Sequence, residues 1–206
     1  FHADYIQQAF PNNFFDLAIG NPPFQGGASV DYSSGRKTYR FSLHDFFFAK
    51  TLDKVRPGGM VAFITSSYTL DKLNDKARTF MADRADLIGA IRLPQTAFAQ
   101  NAGTSVTTDV IFLRKREPGA EPGGEPWMGL ENVTTPDGPV LVNEYYARNP
   151  DMVLGDLRIA GSLDANGQRI NGLNPGSTVV VARDSTPEGL DQAFQAAAER
   201  LPQGVY

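Results

Sequence analysis

Short apolar runs alternate with amphipathic stretches through the first 116 residues, and this alternation constrains the fold most strongly. The predicted strands are 14–19, 60–65, 87–93 and 107–113, and the first two are predicted to be buried. The predicted helices are 43–56 and 71–85, where apolar residues recur at helical spacing. Such alternation is typical of right-handed crossovers, so we expect a mainly parallel sheet covered by helices. No helix separates the last two strands, and the final strand is therefore predicted to pair antiparallel.

A segment rich in Pro and Gly divides the chain at residues 117–126. Its three Pro and three Gly favour a linker or a long surface loop over a helix or a strand. The pattern behind it predicts a helical turn at 143–148, a strand at 178–182 and a helix at 187–200. We therefore predict an α/β domain over 1–116 and a small α+β appendage over 127–206.

The composition excludes several classes of site. The sequence has no cysteine, which excludes a disulfide scaffold, an iron–sulfur cluster and a thiolate zinc site. His2 and His44 are the only histidines, too few for a histidine-rich metal site. No apolar run approaches the ~18–20 residues that a membrane span requires. The sequence starts at Phe1 and lacks the pattern of a signal peptide, so we expect a piece cut from a longer cytoplasmic protein.

The formal net charge of −4 conceals an asymmetry along the chain. Residues 1–116 contain 14 Lys and Arg against 10 Asp and no Glu, whereas residues 117–206 contain 5 basic residues against 13 acidic ones. This asymmetry indicates two units with different partners. A basic first unit fits a polyanion such as DNA, but two ordinary solvated surfaces explain the charges equally well.

The chemistry of the chain is concentrated in Asn21-Pro22-Pro23-Phe24, which directly follows the first predicted strand. Ligands of open parallel sheets bind beyond the carboxyl ends of the strands. The two prolines stiffen the backbone and offer no N–H donors, so the loop presents oxygen acceptors beside an aromatic ring. A flat base with an exocyclic amine suits this arrangement. A base in a duplex would first have to be extruded.

Residues 15–24, with the sequence Phe-Asp-Leu-Ala-Ile-Gly-Asn-Pro-Pro-Phe, resemble the catalytic strand and loop of the N6-adenine DNA methyltransferases. Further stretches resemble a subgroup found in very large mobile-element proteins, often joined to helicase-like regions. These stretches are 43–47, 56–59, 65–66, 91–94 and 101–109. The resemblance implies the C-terminal half of a Rossmann-like methyltransferase fold that uses S-adenosylmethionine and acts on DNA.

The same resemblance assigns roles within the loop. Asn21, Pro22, Pro23 and Phe24 form the implied catalytic loop. Asn21 and Pro22 hold the adenine amine, and Phe24 stacks on the adenine ring. Phe98, in the loop before the last predicted strand, is implied as a second stacking partner.

This sequence does not contain the main cofactor-binding motifs of such enzymes. The family binds S-adenosylmethionine through a Gly-rich loop after the first strand of the sheet and an acidic residue after the second. The residues before Asn21 include only Asp4 as a match, to the acidic residue near the adenine of the cofactor. We therefore expect residues missing from this chain to bind most of the cofactor, and the fragment alone to be inactive.

Four more residues are candidates for substrate binding. Ser66, near the carboxyl end of the second predicted strand, is expected to border the base pocket. Arg36, Lys37 and Arg40 follow a Gly- and Ser-rich stretch at 25–35 that is predicted to be a mobile loop. Their charges suit contacts to phosphate, although a solvated loop explains them equally well.

Two other functions stay open on the sequence alone. The chain could be a non-catalytic DNA- or protein-binding module derived from a methyltransferase. It could also methylate N4 of cytosine, which bears an exocyclic amine as well. His44, in the first turn of a predicted helix, is either a cap or surface residue or a contact to phosphate.

Overall fold

The computed structural model describes residues 5–23, 29–98, 106–172 and 174–204. The elements before the Pro- and Gly-rich segment are β1 (Phe15–Gly20), β2 (Ser29–Ser34), β3 (Lys37–Ser42), α1 (Leu43–Lys54), β4 (Val55–Ser66), α2 (Tyr68–Asp71), α3 (Lys76–Ala82), β5 (Ala85–Leu93) and β6 (Thr108–Lys115). Those after it are β7 (Leu130–Thr135), β8 (Gly138–Asn143), α4 (Glu144–Arg148), a 3₁₀ turn (Pro150–Met152), β9 (Asp156–Ile159), β10 (Thr178–Val181) and α5 (Pro187–Ala198).

Four strands form the central sheet in the order β1-β4-β6-β5. β1 pairs parallel with β4, whereas β6 pairs antiparallel with both β4 and β5. The predicted antiparallel pairing of the last two strands is therefore confirmed. Three of the four strands run in one direction, as expected, but only one of the three pairings is parallel. The sheet is mixed because β6 lies between β4 and β5, a position that the order along the chain does not indicate.

β1 is an edge strand, and the prediction of a buried strand there is wrong. Leu17 and Ile19 are 45% and 75% exposed, and Phe14, just before the strand, is 63% exposed. Among the described residues, β1 pairs on one side only. Apolar side chains on an edge strand stay in solvent where no element covers them.

An antiparallel hairpin of β2 and β3 spans residues 29–42, so the loop predicted over 25–35 is wrong from residue 29 onward. At its turn Gly35 has φ of +62°, which glycine adopts without steric cost. The rings of Tyr39 and Phe41 stack with centroids 5.6 Å apart, and both contact the ring of Phe80 in α3 edge-on. These aromatic contacts hold the hairpin on the helical layer.

The single helix predicted over 71–85 is interrupted between α2 and α3. The carbonyl of Lys72 accepts a 2.7 Å hydrogen bond from Nη1 of Arg78, whereas in a continuous helix it would accept from the backbone four residues later. Leu73, predicted on the inner face, is 82% exposed because it lies in this break. The other predicted inner-face residues are buried, namely Ala77, Phe80 and Met81.

The residues after the Pro- and Gly-rich segment pack against the same hydrophobic cluster as the central sheet. Trp127, Val142 and Tyr146 are buried members of this cluster. The predicted helical turn, strand and C-terminal helix are confirmed as α4, β10 and α5. No helix in the described part of the chain is long and apolar enough to cross a membrane.

Residues 117–126 follow the edge of β5. The backbone N–H of Gly123 donates to the carboxylate of Asp86, and that of Glu125 donates to the carbonyl of Leu87, both at 2.9 Å. Gly124 between them has φ of +77°, and a Cβ there would lie 2.5 Å from the Leu87 oxygen. Glycine is therefore required for this close approach. The division of the chain into domains at this segment stays a prediction.

Candidate active site

The predicted catalytic corner lies at the carboxyl end of β1. Gly20, the last residue of that strand, is paired with Phe63 of β4. Asn21 and Pro23 are exposed and Pro22 is buried, so the corner is anchored by one proline while its amide faces outward. Phe24 lies outside the described residues.

An open cavity of about 470 Å³ lies beside this corner. Asn21 and Pro22 are among its lining residues, and so are Phe47 and Thr51 of α1. Aromatic side chains line much of the remainder, namely Tyr5, Phe10, Phe15 and Phe63. The corner is thus accessible, with an exposed amide next to an aromatic-lined space.

Ser66 lies on the central sheet, whereas Phe98 lies in the turn that follows β5. Ser66 is the last residue of β4, is buried, and accepts a 3.3 Å hydrogen bond at its Oγ from the backbone N–H of Tyr68. Phe98 is half-buried and packs against the main hydrophobic cluster. Their roles at a base site stay predictions.

The three basic candidates do not lie in a loop. Arg36 is in the turn of the β2–β3 hairpin, and Lys37 and Arg40 are on β3. All three side chains are exposed, and none lines the cavity beside Asn21. Asp4, the candidate for the cofactor, lies outside the described residues.

Sequence reasoning missed a buried ion network at the same end of the sheet. Arg92 of β5 is fully buried and forms two hydrogen bonds, of 2.8 and 2.9 Å, to Asp109 of β6. Two more, of 2.7 and 2.9 Å, join it to Asp71 at the end of α2. Its guanidinium also lies over the ring of Tyr146, 4.1 Å from the centroid. Burial acts to lower the pKa of Arg92, but the two carboxylates raise it well above its ordinary value.

Asn143 extends this network into the later part of the chain. Its backbone N–H donates to Asp71 at 2.9 Å, and its side-chain amide donates to the carbonyls of Leu70 and Trp127. The network therefore joins α2, β5 and β6 to β8. Opposite charges inside two apolar runs were the sequence signal for it, because charged residues are buried only when they are paired.

A second polar cluster surrounds the start of α1, where Ser42 occupies the predicted N-cap position. Asp45 is almost fully buried and accepts hydrogen bonds from Ser42 Oγ, at 2.5 Å, and from Lys72 Nζ. His44 Nε2 lies 3.1 Å from Ser42 Oγ and 3.7 Å from Asp45 Oδ1. Burial and the charge of Lys72 lower the pKa of His44 although Asp45 acts to raise it.

The described residues do not by themselves form the expected cofactor site. Among the described residues that line the cavity beside Asn21, Lys54 is the one charged residue, and none of them is a carboxylate that could hold a ribose. No group of three or more potential metal ligands occurs within the described ranges. The described residues around this cavity offer hydrogen-bonding groups and aromatic rings.

Residues 2–98 match the model of the Eco57I restriction-modification methylase family. This stretch is homologous to restriction-modification methylases. The matched residues include the corner at Asn21 and run from β1 through β5, and they end before β6. The ion network thus joins the methylase-like stretch to residues beyond it.

Two curated relatives share part of this sequence. Defense against restriction protein B of Escherichia phage P1 is 33% identical over 106 residues, which are 51% of this chain and 5% of that protein. Type II methyltransferase M.XhoI of Xanthomonas vasicola is 29% identical over 130 residues, or 58% of this chain and 24% of that protein. The chain therefore spans a quarter or less of the length of either relative.

Solved structures with related backbones include a class I S-adenosylmethionine-dependent methyltransferase from Listeria monocytogenes. It is 20% identical with a TM-score of 0.41, and the match covers 57% of this chain and 36% of that one. The M protein of the type I restriction enzyme EcoKI is 14% identical with a TM-score of 0.43, covering 92% and 49%.

Proposed function

We propose that this chain is the substrate-side part of a DNA methyltransferase that methylates N6 of adenine. The observation that carries the proposal is the exposed amide of Asn21 at the carboxyl end of β1, beside an aromatic-lined cavity of about 470 Å³. The homology of residues 2–98 to restriction-modification methylases supports a methyl-transfer role for this corner. The target base reaches it after extrusion from the duplex.

The corner acts on the amine by accepting hydrogen bonds. Asn21 Oδ1 and the carbonyl oxygen of Pro22 each accept one hydrogen bond from the exocyclic amine. Neither proline has an N–H that would compete with the amine for these two oxygens. Holding both hydrogens reduces conjugation of the nitrogen lone pair with the ring, which makes the nitrogen more nucleophilic. Orientation and fixed dipoles are the main catalytic effects of this chain's residues. Phe24 and Phe98 are the proposed stacking partners of the ring.

S-adenosylmethionine is the proposed cofactor, and when bound it supplies an electrophilic methyl group. Most of its site is proposed to be formed by residues other than those described, with Asp4 as the only candidate within this chain. No described strand pairs with the outer edge of β1, where Leu17 and Ile19 are exposed, and this edge is where further structure is proposed to adjoin the corner. DNA is the proposed substrate, and a helicase-like region of the same polypeptide, as in mobile-element proteins, is a proposed partner.

Nucleoside analysis of methylated DNA tests the proposal. The full-length protein is incubated with DNA and S-adenosylmethionine. The DNA is then digested to nucleosides, which are analysed by mass spectrometry. We expect N6-methyladenine that depends on both protein and cofactor. If N4-methylcytosine were the only product, the target base would be cytosine instead of adenine. DNA binding with no methylated base would instead support a non-catalytic module.

A further inference from the structure

A second cavity, of about 540 Å³, lies where the methylase-like stretch meets the later part of the chain. One wall is formed by α2 and the residues beside it, and another by residues of β8 and β10. Tyr68 and Leu73 line it with side chains that are 41% and 82% exposed. We call this cavity the junction groove, and Leu141 and Thr178 are among its lining residues on the second wall.

Within the described ranges, the outer edge of β8 has backbone groups without a partner. In an antiparallel pair, alternate residues turn both their N–H and their C=O away from the neighbouring strand. Asn143 belongs to this set on β8, because its N–H donates to Asp71 of α2 instead of to β7. Leu141, two residues earlier, therefore turns its N–H and C=O the same way. No other described strand pairs with this edge, and Leu141 lines the junction groove.

Strand β10 has a similar edge on the same wall. It pairs with β9 on one side. Along its other side, the N–H of Val180 donates to Thr107 Oγ1 at 3.1 Å, and the Val180 carbonyl accepts from the N–H of Gln95 at 2.9 Å. Thr178 turns its N–H and C=O to this side as well, where no described residue bonds to them. Two free strand edges beside an apolar groove suit an extended peptide, whose backbone pairs with an edge while its side chains enter the groove.

The charges around the junction groove favour a peptide over a nucleic acid. Asp71 and Lys72 are the charged residues among the described ones that line it. Lys72 donates to Asp45 and so offers no free cation to a phosphate. Asp71 is paired with Arg92. The second wall belongs to residues 117–206, which contain 5 basic residues against 13 acidic ones. Such a wall repels a polyanion and attracts a cationic segment.

We propose that the junction groove is a docking site for an extended segment of a partner protein, in which apolar residues alternate with Lys or Arg. The segment pairs with the outer edge of β8 and packs an apolar side chain against Tyr68 and Leu73. Its basic residues face the acidic later part of the chain. The ion network of Arg92 holds α2 beside β8, so both walls are in place before the partner binds. This docking is independent of methyl transfer.

Selection of peptides displayed on phage tests the proposal with the full-length protein. The library contains random peptides of about seven residues, the length of an ordinary strand. We expect enrichment of β-branched or aromatic residues that alternate with Lys or Arg. The enriched peptide is then synthesised, and its Kd is measured by fluorescence polarisation. N-methylation of the residues that pair with β8 should weaken binding about tenfold or more, whereas N-methylation of the intervening residues should have little effect.

Substitutions in the protein locate the bound peptide. Leu73→Lys removes an apolar contact and repels a basic segment, and it should weaken binding about tenfold without unfolding a side chain that is already 82% exposed. Leu163→Lys, at another exposed leucine that does not line the groove, is the matched control and should bind like the wild type. The proposal is overturned if no peptide is enriched, or if binding withstands either Leu73→Lys or both patterns of N-methylation. Displacement of the peptide by an oligonucleotide of thymines would assign the groove to nucleic acid and would also contradict it.

Discussion

Replacing Asn21 with alanine should lower the rate of DNA methylation by about 10²–10³-fold, because the variant loses an acceptor aimed at the reacting amine. The side chain of Asn21 is exposed and makes no hydrogen bond to another described side chain, so the fold should be unaffected. Single-turnover methylation of adenine by the protein as its gene encodes it measures the rate. Thermal unfolding of the same preparation measures stability, and we expect no change.

Asn166→Ala provides the matched control for this prediction. Asn166 is an exposed asparagine in the turn after Asp164, and its replacement should leave both the rate and the unfolding temperature unchanged. Methylation by Asn21→Ala at more than a tenth of the wild-type rate would contradict the role assigned to the corner. A loss of activity accompanied by unfolding would point to a structural role instead.

Arg92→Met should lower the free energy of unfolding by about 3–5 kcal/mol, since it leaves two carboxylates without their buried counter-charge. Asp109 is fully buried, and Asp71 also holds the backbone of Asn143 at 2.9 Å. The loss should therefore loosen the contact between β6, α2 and β8 as well as weaken the core. Urea unfolding followed by tryptophan fluorescence measures it, because Trp127 lies where Asn143 bonds to the backbone.

The control for this second prediction is Arg114→Met on β6, where the arginine is exposed. Its change in unfolding free energy should stay within about 0.5 kcal/mol, as is usual for surface positions. An effect of Arg92→Met no larger than that of Arg114→Met would show that the network adds nothing to stability. A double variant that removes both Arg92 and Asp109 should recover part of the loss, because the buried negative charge is then absent.

Local sequence patterns correctly predicted the elements whose apolar residues repeat at a regular spacing. Helix α1 and the C-terminal helix α5 follow apolar spacing and stop signals within a few residues. The antiparallel direction of β6 followed from the short connection after β5. These features depend on neighbours along the chain, and a sequence contains that information directly.

The errors arose where distant residues decide the structure. The break between α2 and α3 is held by Arg78 and by the pairing of Asp71 with Arg92, 21 residues away. The β2–β3 hairpin depends on Phe80, which lies far along the chain from Tyr39 and Phe41. Apolar content alone could not distinguish an edge strand from a central one, since both read as short hydrophobic runs.

The site was predicted unevenly for the same reason. The corner at Asn21 and Pro22 was proposed from its unusual local chemistry, and its catalytic role stays a prediction, while the structure shows a cavity lined by both residues. Arg92, Asp109 and the environment of His44 involve partners brought together only by the fold. The signal for Arg92 and Asp109 was charge within apolar strands, which indicates pairing without naming the partner.

A crystal structure of the protein with DNA that contains an extruded adenine tests the central claim most directly. We expect the amine nitrogen of that adenine within about 2.7–3.2 Å of both Asn21 Oδ1 and the Pro22 oxygen, with its ring against an aromatic side chain. An adenine bound elsewhere, or held at this corner by an edge without the amine, would contradict the account.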